Sequence, residues 1–106
     1  MDEQWKPIEG YEGRYAISSM GRVISLHSGM LLTPKSSRAG YLRVTLCKEG
    51  YPPKTFSIHR LVAIAFIPNP ELKPTVNHLN EDKRDNRVAN LEWATHSEQN
   101  THATSL

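Results

Sequence analysis

The tightest constraint on this chain is a change of rhythm near Ile58. Before it, apolar residues alternate with polar ones, most clearly from Tyr41 to Leu46, where Leu42, Val44 and Leu46 share one face and Tyr41, Arg43 and Thr45 the other. From Ile58 to Phe66 the apolar residues recur at helical spacing, and Ile67-Pro68-Asn69-Pro70 closes the run. Each proline lacks an amide hydrogen and restricts its predecessor, so a helix stops there. A β-rich front half joined by one core helix to a different back half is the expected plan.

The front half reads as short strands, Tyr15–Ser18, Gly21–Ser25, Gly40–Leu46 and Thr55–Ile58, separated by turn residues. After Pro74 a strand, Thr75-Val76, runs into Asn77-His78, then a hydrophilic loop spans 79–87, and Leu91 and Trp93 alternate as a second strand would require. Thr95-His-Ser-Glu98 is a capping box, which predicts a helix over roughly 96–104. With 106 residues there is material for one small domain, or two subdomains sharing a modest core.

The longest apolar run, Leu61 to Ile67, is seven residues, against the ~20 of a membrane-spanning helix. The acidic N-terminus is unlike a signal peptide, so a soluble protein with no membrane association is expected. Cys47 has no cysteine partner for a disulfide or a zinc knuckle; it reads as a half-buried strand residue in a reducing cytoplasm. The formal net charge is only +2, but residues 1–13 carry −3, residues 14–70 carry +7 and residues 71–106 carry −2. A positive middle suits a polyanion. On the open face of the 41–46 strand, Arg43 would pair with phosphate and Tyr41 would donate a hydrogen bond, as protein–DNA backbone contacts require.

Several blocks, in a fixed order, carry a resemblance. His59–Pro68 (HRLVAIAFIP), Thr75–His78 (TVNH), Asp85–Trp93 (DNRVANLEW) and Thr95–Asn100 (THSEQN) resemble the HNH endonucleases of phages and their introns. Trp5–Ser25 (WKPIEGYEGRYAISSMGRVIS) is similar to the nuclease-associated modular DNA-binding motif that often precedes that core. Together the matches cover nearly the whole chain.

The resemblance implies an α+β fold: a small N-terminal antiparallel β-sheet as a DNA-binding region over 1–56, then a helix and a ββα-metal (His-Me finger) nuclease core over 57–106. It implies that His78, at the end of the first core strand, deprotonates the attacking water, imidazole being suited to proton transfer near neutral pH. By carry-over Asn90 orients the histidine ring and pins the loop, since an amide donates and accepts at once.

One divalent ion, Mg2+ or Mn2+, is implied next to the scissile phosphate. Family members often have aspartate before the catalytic histidine, where this chain has Asn77, and the helix ligand falls at Gln99 or Asn100, with His96 a third candidate and His102 a surface partner of Glu98. Neutral ligands leave the ion more dependent on water and DNA phosphate. His59, Arg60, Lys83, Arg84 and Arg87 surround the motif and, with Tyr41 and Arg43, are the expected DNA contacts.

The implied partner is double-stranded DNA, bound by a monomer or weak homodimer in the cytoplasm of a bacterial host, the gene being carried by a phage or prophage. Two other readings stay open: a DNA-binding module that keeps the fold with weak catalysis, and a subunit of a larger assembly such as phage DNA packaging.

Overall fold

The computed structural model describes residues 3–96. Its first sheet is antiparallel, in the order β1 (Trp5–Pro7), β2 (Tyr15–Ser18), β3 (Val23–Ser25). Ile17 on β2 and Val23 on β3 are fully buried, whereas β1 is exposed along its length. That exposure is why β1 carries no alternation by which the sequence announces it. The β2–β3 connection is a tight turn in which the buried Ser18 hydroxyl accepts the N–H groups of Met20 and Arg22, at 3.1 and 3.0 Å. Gly21 sits there at φ +84, a left-handed conformation that glycine adopts without a Cβ penalty.

The second sheet has the order β4 (Lys35–Ser36), β5 (Leu42–Lys48), β6 (Tyr51–Ser57), again antiparallel. β5 shows the expected alternation, with Val44 and Leu46 buried, Leu42 half-buried, and Arg43, Thr45 and Cys47 exposed. Cys47 is thus more open than its sequence reading, because it falls on the outer parity of the strand. β6 begins four residues before the expected start at Thr55, with Pro52 and Pro53 inside it. Proline cannot donate to a ladder, but β6 lies at the sheet edge, where a missing N–H costs no pairing.

α1 (Ile58–Phe66) matches the rhythm change in both bounds. It buries Ile58, His59, Leu61, Val62 and Ala63, and packs against β2, β5, β6 and the last two strands, so one core runs through the whole molecule. At ~1.5–3 kcal/mol per large aliphatic side chain, Ile17, Leu46, Ile58 and Val62 supply much of its cohesion. The Ile67 N–H reaches the Ala63 carbonyl at 3.0 Å and ends the helix ahead of Pro68.

The third layer is the two-stranded antiparallel ladder β7 (Thr75–His78) with β8 (Leu91–Ala94), registered Val76 to Trp93 and His78 to Leu91. A 3-10 turn over Val88–Asn90 leads into β8. Two contacts clamp this ladder to α1: the Trp93 indole N–H donates to the Ile67 carbonyl at 2.9 Å, and Arg60 donates to the Pro74 carbonyl at 2.8 Å. The strand, polar loop, strand order is as expected. The helix expected over 96–104 lies, beyond an exposed His96, outside the described residues. Among the described residues no helix is long and apolar enough to cross a membrane.

Candidate active site

β7 delivers His78 at its last position, on the same face as buried Val76. The imidazole is 7% exposed, and its Nε2 lies 2.7 Å from Oδ1 of Asn86, itself 4% exposed. An amide oxygen only accepts, so Nε2 is the donor in this bond and Nδ1 takes no part in it. The bond to Asn86 fixes the orientation of the ring and makes Nε2 its donor to the loop.

The loop earns its shape from side chains, as its composition of Asn and Asp allows. Asn90 donates through Nδ2 to Oδ1 of Asn80 at 2.9 Å and to the Asp85 carbonyl at 2.8 Å, while its Oδ1 accepts the Asn80 N–H at 3.0 Å. Asn80 in turn donates to Asp85 at 3.0 Å. Arg87 forks onto both Asp85 oxygens at 2.8 Å and holds that carboxyl down to about 2, so it stays ionised. The side chain of Asn90 thus bonds to Asn80 and Asp85 within the loop, and it is Asn86 that bonds the His78 ring.

Behind His78 lies a second imidazole. His59, in the first turn of α1, has its ring centroid 5.0 Å from that of His78, and the Tyr41 ring stands 5.1 Å from His59 and 5.9 Å from His78. Lys83 caps the cluster, its Nζ 4.8 Å from the Tyr41 centroid and 2.7 Å from the Ala39 carbonyl. His59 is 9% exposed and its buried Nδ1 has no protein partner. Burial first, then His78 and Arg60 nearby, push its pKa down to about 4. His59 is therefore a neutral imidazole with an unsatisfied ring nitrogen beside the His78 ring.

Residues 56–101 match the family model described as HNH endonuclease, and residues 3–47 match the NUMOD4 motif. The chain is 44% identical over 92 residues to the DNA endonuclease I-HmuI of Bacillus phage SP01, covering 87% of this chain and 52% of the phage protein. A solved structure described as DNA binding and cleavage by the HNH homing endonuclease I-HmuI superposes with a TM-score of 0.88 at 40% identity, covering 96% of this chain and 58% of that one. The chain carries an HNH endonuclease core behind a NUMOD4 motif. An uncharacterized HNH endonuclease of Acanthamoeba polyphaga mimivirus is 46% identical over 105 residues, which is 95% of this chain and 26% of that protein. The chain thus spans between about a quarter and somewhat over half of these relatives' lengths.

Within this HNH site, the sequence-derived residues divide clearly. His78, His59, Tyr41 and Lys83 converge on one cluster, and Asn90 braces it. Tyr41 precedes β5 rather than standing on its open face, and its ring faces the imidazoles. Arg60 and Arg87 are engaged within the chain, by Pro74 and Asp85, while Arg84 and Arg43 are exposed. Gln99 and Asn100 lie outside the described residues. Asn86 was missed; its only sequence signal is that it sits in the Asp85-Asn-Arg87 stretch of a loop otherwise too polar to be buried.

HNH nucleases generally use a divalent metal ion. Asn77 is half-buried beside His78, and the register sets Glu92 directly across the ladder from it. Amide and carboxylate oxygens are hard donors, so this strand pair fits a hard divalent cation. Among the described residues no cluster of three or more His, Cys, Asp or Glu side chains stands ready to hold one.

Proposed function

We propose that the chain is a metal-dependent HNH DNA endonuclease or nickase, with His78 as the general base. The observation that carries this reading is the Nε2 bond of His78 to Asn86, which leaves Nδ1 as the nitrogen able to take a proton from water. That water attacks phosphorus in line with the departing 3′-oxygen, leaving 5′-phosphate and 3′-hydroxyl ends. Asn90 holds the loop so that Asn86 meets the ring. Asn77 with Gln99 or Asn100 would hold one Mg2+ or Mn2+ ion, which when bound supplies positive charge against the developing charge on the phosphate.

Residues 1–56 act as the DNA-binding region and 57–106 as the nuclease core, and the partner is double-stranded DNA met by a monomer or weak homodimer in the host cytoplasm. Arg43, exposed on β5, stands across the ladder from Lys35. Like charges directly opposed destabilise a bare sheet and are relieved by a phosphate between them. Tyr41, His59, Lys83, Arg84, Arg60 and Arg87 are the further DNA contacts of this reading.

The test is incubation of supercoiled plasmid with purified protein and magnesium or manganese. Nicking that disappears in His78→Ala is the expected result; equal behaviour of the two proteins in both ions sinks the enzyme reading. The second reading, a DNA-binding module with weak catalysis, is favoured by neutral Asn77. Salt-dependent binding without cleavage supports it, and cleavage restored by Asn77→Asp marks a weakened metal site.

A further inference from the structure

The close packing of the front sheet's β2–β3 turn on the nuclease loop has no counterpart in a simple division between a DNA-binding arm and a catalytic core. A Cβ placed on Gly21 would fall 2.9 Å from Cβ of Asn86, 3.1 Å from its carbonyl oxygen and 3.3 Å from its carbonyl carbon. Two of those atoms are backbone, so a side chain there displaces the loop itself. Two residues away, the Val88 N–H donates to the Ser19 carbonyl at 3.0 Å.

The turn is a firm support. Ser18 is wholly buried and exchanges bonds with Arg22, its N–H donating to the Arg22 carbonyl at 2.8 Å and its hydroxyl accepting the Arg22 N–H. Ser19 is tied twice to Gln4, donating its N–H to the Gln4 carbonyl at 2.8 Å and accepting the Gln4 N–H at 3.0 Å through Oγ. A four-residue turn held by this many bonds has few alternative conformations to offer a neighbour.

We propose that the turn from Ser18 to Gly21 is a positioning element of the catalytic site: it sets Asn86 at its station, and through Asn86 selects the Nε2-protonated tautomer of His78. Gly21 and Ser19 are its positioning residues. The front module then contributes to chemistry as well as to DNA affinity, and anything that lifts the turn from the loop frees the imidazole to rotate or exchange tautomers. This rests on the reading of His78 as base, but it is testable without cleavage.

Long-range proton–nitrogen correlation spectra of the 106-residue chain, at mildly alkaline pH where free imidazole is neutral, report the tautomer of each histidine ring. The His78 signals are assigned by their loss in His78→Ala. Three variants decide the matter. Gly21→Ala places a Cβ against Asn86. Val88→Pro removes the N–H that bonds Ser19, at the first position of a 3-10 turn preceded by Arg87 at φ −68 and ψ 145, the extended conformation that suits a residue before proline. Gly13→Ala strains a left-handed glycine, φ +79, with nothing within 4 Å of its Cβ, and so controls for backbone strain alone.

The wild type and Gly13→Ala are expected to show one Nε2-protonated His78. Gly21→Ala and Val88→Pro are expected to show mixed tautomers, with kcat for nicking lowered roughly ten- to a hundredfold and KM little changed. If Gly21→Ala does not fold, Val88→Pro carries the test. A folded variant that keeps the wild-type tautomer, or scrambling as large in Gly13→Ala, overturns the proposal. Nicking that persists in His78→Ala would instead overturn the base assignment, and the tautomer result would stand apart from it.

Discussion

Nε2 of His78 lies 2.7 Å from Oδ1 of Asn86, and both side chains are more than nine-tenths buried. Asn86→Ala leaves a buried N–H without its acceptor, which costs about 1–3 kcal/mol. The ring also loses the bond that aims Nδ1, and misplacement of a reacting group on this scale lowers rate roughly a hundredfold. Urea denaturation and plasmid nicking measure the two effects separately. Unaltered nicking by a folded Asn86→Ala protein would show that the ring is oriented by something else.

Asn90 makes three hydrogen bonds that hold the 79–87 loop, two to Asn80 and one to Asp85. Its removal in Asn90→Ala is expected to lower stability by about 2–3 kcal/mol, at roughly 1 kcal/mol per bond. Amide exchange should speed most at Asn80, whose N–H loses the side-chain acceptor. Exchange that rises evenly across the chain would point to general unfolding instead.

His59 gives the fold a pH dependence of definite sign. Its pKa falls from 6.5 to about 4 on folding, chiefly through burial. The folded state then binds fewer protons than the unfolded chain between those values, so the stabilisation is complete above 6.5 and is lost as pH falls toward about 4. Allowing for solvent screening, the loss by about pH 5 is roughly 1–2 kcal/mol. The depressed carboxyls of Glu3 and Asp85, both held near 2 by arginine partners, act in the same direction but below 4.5. Denaturation at pH values between 7 and 5 isolates the histidine contribution, and His59→Gln should flatten it. An undiminished slope in that variant would assign the effect elsewhere.

Arg43→Ala should weaken DNA binding at every sequence and reduce the slope of log K against log salt by about one, the signature of one lost phosphate contact. Nicking at saturating DNA should stay near the wild-type rate, because Arg43 stands apart from the His78 ring cluster. An unchanged salt slope would remove the β5 face from the DNA path.

Much of the architecture was written locally. The nine residues of α1 announced themselves by helical spacing and two following prolines, and the inner face of β5 by alternation, because both signals depend only on near neighbours in sequence. His78 at a strand end was legible from the same kind of block order. β1 and the proline-containing start of β6 were not, since an exposed strand and an edge strand owe their pairing to a partner strand rather than to their own pattern.

The site itself depended on contacts the linear pattern does not encode. His78 finds Asn86 eight residues on, His59 comes from a helix nineteen residues earlier, and Tyr41 arrives from ahead of β5. Sequence alone determined which residue types were present and which periodic elements carried them. Only the packing of α1 against three layers decided that two imidazoles would stand with their centroids 5.0 Å apart, and only the β2–β3 turn packed on the loop decided that Asn86 would meet the His78 ring. Burial and tautomer are properties of a neighbourhood, and a neighbourhood exists only once the chain has closed on itself.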